Sequence, residues 1–397
     1  MMLRPEIAGV VESPLVQIAT LAESMAGSIK LCYGESDIPT PEFIRRAADR
    51  AMSDGHTFYT HTAGYPELRE AIAAKVRALH GVTYDPDEVM ATVGGTMAIF
   101  LAIRALVGSG DNAVIVAPAY AIYMNAATLC GAEPRFVPLA LDARDGRFRL
   151  DVDRVIDATD RRTRLIVVNS PSNPTGWVIT ADEQRSLARA ASERGIVILA
   201  DEVYERLVFD HDDGGGGLAP SFARIMDDRR HLVVINSFSK TYNMTGWRLG
   251  WAQSAEPTIR AMWKAAEFIT SNPAAMVQQA GIVALGDGED YVRDLREQYR
   301  ARRDQVVSSL AGLPGVDLPE PRGAFYAFPR IDGLTDSASF ALELLRATGV
   351  ALAPGSAFGS SSEGHVRLCF AAREATVARA LERFAEYATR SRTGFPA

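Results

Sequence analysis

Short apolar runs recur along the chain, bounded by Gly, Pro, Asn or Asp, and between them apolar residues return at helical spacing. Val89 to Val93, Asn112 to Ala117, Arg164 to Asn169, Ile196 to Asp201 and Leu232 to Ile235 read as buried strands, because they are apolar on both faces. Trp251 closes a further strand. Pro66 to Leu79 carries Leu68, Ile72, Val76 and Leu79 on one helical face. Further helices are predicted from Pro41 to about Asp54, from the glycines at 94 and 95 through Leu106, from about Ala181 to Arg194, from Glu256 to Ile269, and from Glu289 to Leu310. Ile29 to Pro41 reads as a strand running into a proline-bounded turn. Towards the end, Gly323 to Phe328, Val350 to Gly355 and His365 to Phe370 read as short strands packed on helices that end near Tyr387. Strands alternating with helices predict an α/β protein, and 397 residues suffice for one large domain and a smaller one.

Composition narrows the class. Hydrophobic residues at 47% and charged residues at 23% are globular values. A net charge of -7 gives no basic footprint for nucleic acid or an anionic membrane, and the arginines at 300, 302 and 303 read as a solvated helix face. No apolar run is long enough to cross a membrane and the first residues lack a signal-peptide core, so a cytoplasmic protein is expected. Cys32, Cys130 and Cys369 are far apart and predict buried thiols, while His56 and His61 have no partners at metal-ligand spacing, so no metal site is expected. The segment from Asp210 to Gly217 reads as a mobile surface loop.

Only four of the 42 Lys and Arg residues are lysines, so Lys240, in Ser237-Phe-Ser-Lys240, needs its own explanation. Arginine stays protonated, whereas a lysine amine in a desolvated or cationic pocket can lose its proton and attack a carbonyl to form a Schiff base. Ser237, Ser239 and Thr241 with Arg248 suit a phosphate. The turn Val93-Gly-Gly-Thr96 supplies a second anion-binding wall, since its glycines admit a phosphate and the helix that follows points its first N–H groups at it. Asn173 and Asp201 fall at strand carboxyl ends, where open α/β sheets bind their ligands.

These words resemble the class I aminotransferases, the aspartate-aminotransferase-like enzymes of fold type I, over almost the whole chain. The resemblance implies a large domain with a mostly parallel seven-stranded sheet between helices, and a smaller α+β domain. The expected division is 1–45 for an N-terminal arm and part of the small domain, 46–285 for the large cofactor domain, and 286–397 for the C-terminal small domain. It also implies pyridoxal 5'-phosphate as cofactor and an amino acid and a 2-oxo acid as substrates. The tyrosine of Tyr59-x-x-x-x-Gly64-x-x-x-Leu68-Arg69 would reach the phosphate of the neighbouring subunit, which implies a homodimer.

By the same resemblance Lys240 carries the cofactor as a Schiff base and moves the substrate proton, and Asp201 of Asp-Glu-Val-Tyr204 pairs with the pyridine nitrogen. Tyr204 and Asn173, the latter from Asn-Pro-Thr-Gly176, hydrogen-bond the phenolic oxygen, and Tyr120 stacks on the ring. Gly95, Thr96, Ser237, Ser239, Arg248 and Tyr59 hold the phosphate. Arg367, in Gly-His-Val-Arg-Leu368, binds the substrate carboxylate with Gly34 and Asn173 beside it. Aspartate-specific members carry a lysine where this chain has Thr96, and Pro14-Leu15 supplies no replacement cation, so neutral amino donors are expected. A lyase, cyclase or oxidase using the same cofactor is the alternative chemistry. A ligand-sensing regulator would need a helix-turn-helix region ahead of the first matched word, and an enzyme is expected instead.

Overall fold

A computed structural model describes residues 5–10, 12–209 and 217–390. The acidic, glycine-rich run expected to form a loop lies, but for Gly217, outside the described residues. Seven strands form the central sheet: β1 (Val89–Thr92), β2 (Asn112–Ala117), β3 (Glu133–Pro138), β4 (Thr163–Asn169), β5 (Val197–Asp201), β6 (Leu232–Ser237) and β7 (Gly250–Gln253). Their order is β1-β7-β6-β5-β4-β2-β3, and only β7 runs antiparallel to its neighbours. The α/β, mostly parallel sheet read from the sequence is what the chain forms.

Alternation along the strands explains why the runs are apolar throughout. Leu165, Val167, Leu199, Val233 and Ile235 enter one core, and Ile166, Val168, Ile198, Leu232 and Val234 enter another on the opposite face. Helices α4 (Gly94–Leu106) and α6 (Glu256–Glu267) cover the first face; α2 (Glu42–Ser53), α3 (Pro66–His80) and α5 (Ala181–Glu193) cover the second, and α1 (Leu15–Ser24) packs elsewhere. Thr180 caps α5 reciprocally with Glu183, satisfying two backbone donors at its start.

The C-terminal part builds a three-stranded antiparallel sheet from β8 (Tyr326–Ala327), β9 (Ala353–Pro354) and β10 (Val366–Cys369), with β10 in the middle. Helices α7 (Ala275–Asp287) and α8 (Glu289–Leu310) precede it, α9 (Ser337–Thr348) packs on β9, and α10 (Glu374–Arg390) packs on α8 and α9. Two readings need correction. The strand expected from Ile29 is only Ile29–Lys30, paired with Val350–Ala351; beyond Leu31 the chain leaves the sheet edge and carries Gly34 over to Lys240. Arg302 and Arg303 are not on a solvated face but buried. Their stretch of α8 packs inward, where Arg303 donates to the Pro321 carbonyl at 2.9 Å and lies over the Phe209 ring, and Arg302 lies over Tyr299. Only Arg300 stays exposed, paired with Glu297. Cys32 and Cys369 are buried as expected, while Cys130 is half-buried.

Candidate active site

The parallel strands end on one rim. Asn169 is level with Asp201, Asp201 with Ile235, and Ser237 closes the same strand two residues on. Residues at these carboxyl ends open on a cavity of roughly 320 Å³. Of the side chains and glycines singled out from the sequence, Gly34, Gly95, Thr96, Tyr120, Asn173, Asp201, Tyr204, Ser237, Ser239, Lys240, Arg248 and Arg367 all line it. Tyr59 does not; it is 91% exposed on the protomer's surface.

One wall has the make-up of an anion site. Gly94 has φ +77 and starts α4, and a Cβ there would collide with the Arg248 guanidinium, so glycine is what allows the arginine to lie against the turn. Gly250, opposite Thr92 and Ser237, plays a related part: a Cβ would sit 2.6 Å from the Gly95 nitrogen and 2.9 Å from the Asn236 carbonyl. The helix start is thereby pressed against the strand that follows Arg248. Ser237 Oγ lies 2.9 Å from Ser239 Oγ, and Arg248 Nη1 donates to the Thr245 carbonyl at 2.8 Å.

Lys240 stands in the centre. Its Nζ donates to the Gly34 carbonyl at 2.7 Å, so the contact with Gly34 is through its oxygen. Burial pulls the amine down to about 8, which puts the neutral, nucleophilic form within reach of ordinary pH. Across the cavity Asp201 is pushed up to about 6, chiefly by burial, while it accepts hydrogen bonds from the Tyr123 hydroxyl at 2.6 Å and the Val203 N–H at 3.2 Å. A buried carboxylate of this kind is suited to meeting a cationic ring nitrogen.

Arg367 is buried. Its Nη1 donates to Asn173 Oδ1 at 2.8 Å and its Nη2 to the Cys32 carbonyl, while its buried Nε has no partner. An orphaned guanidinium donor beside the cavity is what a carboxylate would satisfy. Asn173 spends its oxygen on this arginine, so its NH2 keeps the remaining donors. Tyr204 is buried with its hydroxyl 2.7 Å from that of Tyr326, and Tyr120, 42% exposed, lies edge-on to Tyr123. The amine, the anion cradle, the buried aspartate and the unsatisfied arginine together fit a phosphate-bearing aromatic aldehyde and a carboxylate-bearing amine.

Comparison with known proteins gives the same answer. Residues 26–384 match the family described as aminotransferase class I and II. The chain belongs to that family. With it comes dependence on pyridoxal 5'-phosphate. This aminotransferase is 35% identical to an aspartate aminotransferase of Pyrococcus horikoshii, over 94% of this chain and 93% of that protein. It is 34% identical to aromatic-amino-acid aminotransferase 2 of Thermococcus litoralis, over 94% of each. Its fold superposes on the aspartate aminotransferase of Thermus thermophilus solved with maleate at a TM-score of 0.89 and 34% identity, covering 97% of this chain and 99% of that one.

The aminotransferase also shows residues the sequence reading passed over. Tyr123 stood in the word read for Tyr120, and Tyr326 in the Gly-Ala-Phe-Tyr word read only as a strand. Asn169 accepts the Asn173 N–H at 2.8 Å and donates to the Asp201 carbonyl at 3.0 Å, tying two rim residues together. Among the described residues no group of His, Cys, Asp and Glu could hold a metal ion, and no helix is long and apolar enough to cross a membrane.

Proposed function

We propose that this aminotransferase moves the amino group of a neutral α-amino acid to a 2-oxo acid, with Lys240 as the covalent and proton-carrying residue. The observation that carries the reading is the convergence of a desolvated Lys240 amine, a buried Asp201 and a buried Arg367 on one cavity. Pyridoxal phosphate, when bound, supplies an electron sink for the substrate's Cα. Arg248, Ser237, Ser239 and the amides of Gly95 and Thr96 would hold its phosphate, and Tyr120 would cover its ring. Asp201 would keep the ring nitrogen protonated; Asn173 and Tyr204 would donate to the phenolic oxygen. Arg367 would take the substrate carboxylate in bidentate fashion with Gly34 alongside. Lys240, released by the incoming amine, would move the proton from Cα.

The neutral-donor preference rests on charge. Lys240, Arg248 and Arg367 are the cationic side chains lining the cavity of the protomer, and each has a task. The same lining includes the apolar Leu15 and Ile99. A second carboxylate would therefore lack a charge-assisted hydrogen bond of about 1.5–3 kcal/mol, roughly ten- to a hundredfold in binding. The names of the relatives favour an acidic donor as the second reading. Rapid mixing of the loaded enzyme with each of the twenty amino acids, following loss of the bound cofactor's visible band, separates the two. Neutral donors are expected to react fastest; aspartate or glutamate outpacing all of them would end the argument from Thr96.

The functional unit is proposed to be a homodimer. Tyr59 and Phe58 are 91% and 80% exposed, and Phe268 is 84% exposed. His61 packs on Trp263 with ring centres 4.7 Å apart, which brings the Tyr59 segment beside the end of α6 and Phe268. Exposed aromatics this large mark a surface meant to be covered, and Tyr59 then has the partner's phosphate to bind. Sedimentation should show a dimer, and Tyr59→Phe should weaken cofactor retention; a monomer with full activity would rule the arrangement out.

A further inference from the structure

Tyr326 belongs to none of the roles assigned above, yet it touches three of the residues that carry them. It is fully buried in β8, with its hydroxyl 2.7 Å from that of Tyr204. Its ring lies under the Arg367 guanidinium, 4.6 Å from centroid to Cζ. A Cβ on Gly34 would strike its hydroxyl, so the chain segment that receives Lys240 is a glycine at the one point where Tyr326 needs the room.

Either tyrosine oxygen can donate in the protein alone, since each hydroxyl has one hydrogen and two lone pairs. Once Tyr204 commits its hydrogen to a ligand oxygen, only Tyr326 can donate across the 2.7 Å contact. The result is a two-step chain, Tyr326 to Tyr204 to ligand, in which each bond strengthens the next. The cation above its ring makes Tyr326 the better donor, and a carboxylate paired with Arg367 would remove that help. Resting on the proposed roles of Tyr204 and Arg367, we propose that Tyr326 is a positioning residue that transmits the charge state of the carboxylate clamp to the hydrogen bond Tyr204 makes with the cofactor's phenolic oxygen. Carboxylate docking and cofactor protonation are thereby coupled through Tyr326 in addition to Asn173, which accepts from Arg367 directly.

The sign follows. With the cofactor bound, its phenolic oxygen would carry most charge when the Lys240 nitrogen beside it has lost its proton, so a strong donor to that oxygen would favour the deprotonated form. Weakening the donor raises the pH midpoint of the bound cofactor's visible absorption. Tyr326→Phe keeps the ring under Arg367 and removes only the hydroxyl. Its midpoint is expected to lie about half a unit to one unit above the wild type's. Saturating 3-phenylpropanoate, a carboxylate without an amine, should raise the wild-type midpoint, and raise that of Tyr326→Phe by less. In a Tyr204→Phe background, adding Tyr326→Phe should leave the midpoint where it is, because the chain is already broken. This double variant removes both hydroxyls and leaves no orphan, so it also serves if the single variant fails to fold. A Tyr326→Phe enzyme with the wild-type midpoint, or a double variant that differs from Tyr204→Phe, overturns the proposal; a packing role alone would lower the melting temperature and leave the midpoint in place. A wild-type protein with no pH-dependent visible band would instead overturn the Lys240 reading, and this one with it.

Discussion

Lys240→Ala is expected to lower turnover of amino acid to 2-oxo acid by roughly 10²–10⁴-fold through loss of proton transfer alone. The covalent hold proposed for the cofactor would disappear in the same step. Lys240 is the one lysine lining the cavity, and its amine stands 2.7 Å from the Gly34 carbonyl with no carboxylate hydrogen-bonded to it. With the amine pulled down to about 8 by burial, the reactive neutral form grows as pH rises through that value. Wild-type apoprotein should therefore take up cofactor faster as pH rises through the same range, and the alanine variant should show no such dependence. Steady-state turnover and the uptake rate check both halves. An alanine variant within about tenfold of wild type would mean that another group carries the proton.

Arg367→Leu should fall mainly on substrate rather than on cofactor. The guanidinium is held in place by Asn173 Oδ1, by the Cys32 carbonyl and by the flanking rings of Tyr326 and Phe358, while its buried Nε has no partner. Losing a charge-assisted pair costs about 1.5–3 kcal/mol, so kcat/KM should drop at least roughly ten- to a hundredfold, most of it in KM for the amino acid. Arg367→Lys should not restore it, because an ammonium lacks the planar fork that meets a carboxylate with two bonds. Cofactor binding is expected to be little changed in both variants. An unchanged KM in Arg367→Leu would place the carboxylate elsewhere.

Some of this site was legible in the sequence because chemistry and spacing are local. Lys240, its two serines and Arg248 fall within one short stretch, and beside them the glycine turn at 94 and 95 becomes a candidate anion site. Asp201 ends an apolar run and Asn173 lies in the turn just after one, so their place on the rim followed once the runs were strands. What stayed hidden depends on packing between distant segments. The Tyr204–Tyr326 contact joins residues 122 apart and the Tyr123–Asp201 contact residues 78 apart, and a buried tyrosine in an apolar word gives no sign of its hydroxyl's partner. Arg302 and Arg303 were misjudged for the same reason: charge suggests solvent, but a long arginine stem can lie buried when carbonyls and rings receive its head. The strand expected from Ile29 stopped early because Gly34 is needed at Lys240, a tertiary demand that local propensity does not record.

The claim on which the account turns is that Lys240, and no other lysine, carries the cofactor. Borohydride reduction of the yellow holoenzyme followed by peptide mapping tests it directly. One modified peptide is predicted, containing Ser239-Lys240-Thr241, with Lys30, Lys75 and Lys264 unmodified. A pyridoxyl group on any of those three, or holoenzyme that borohydride leaves unlabelled, would contradict it.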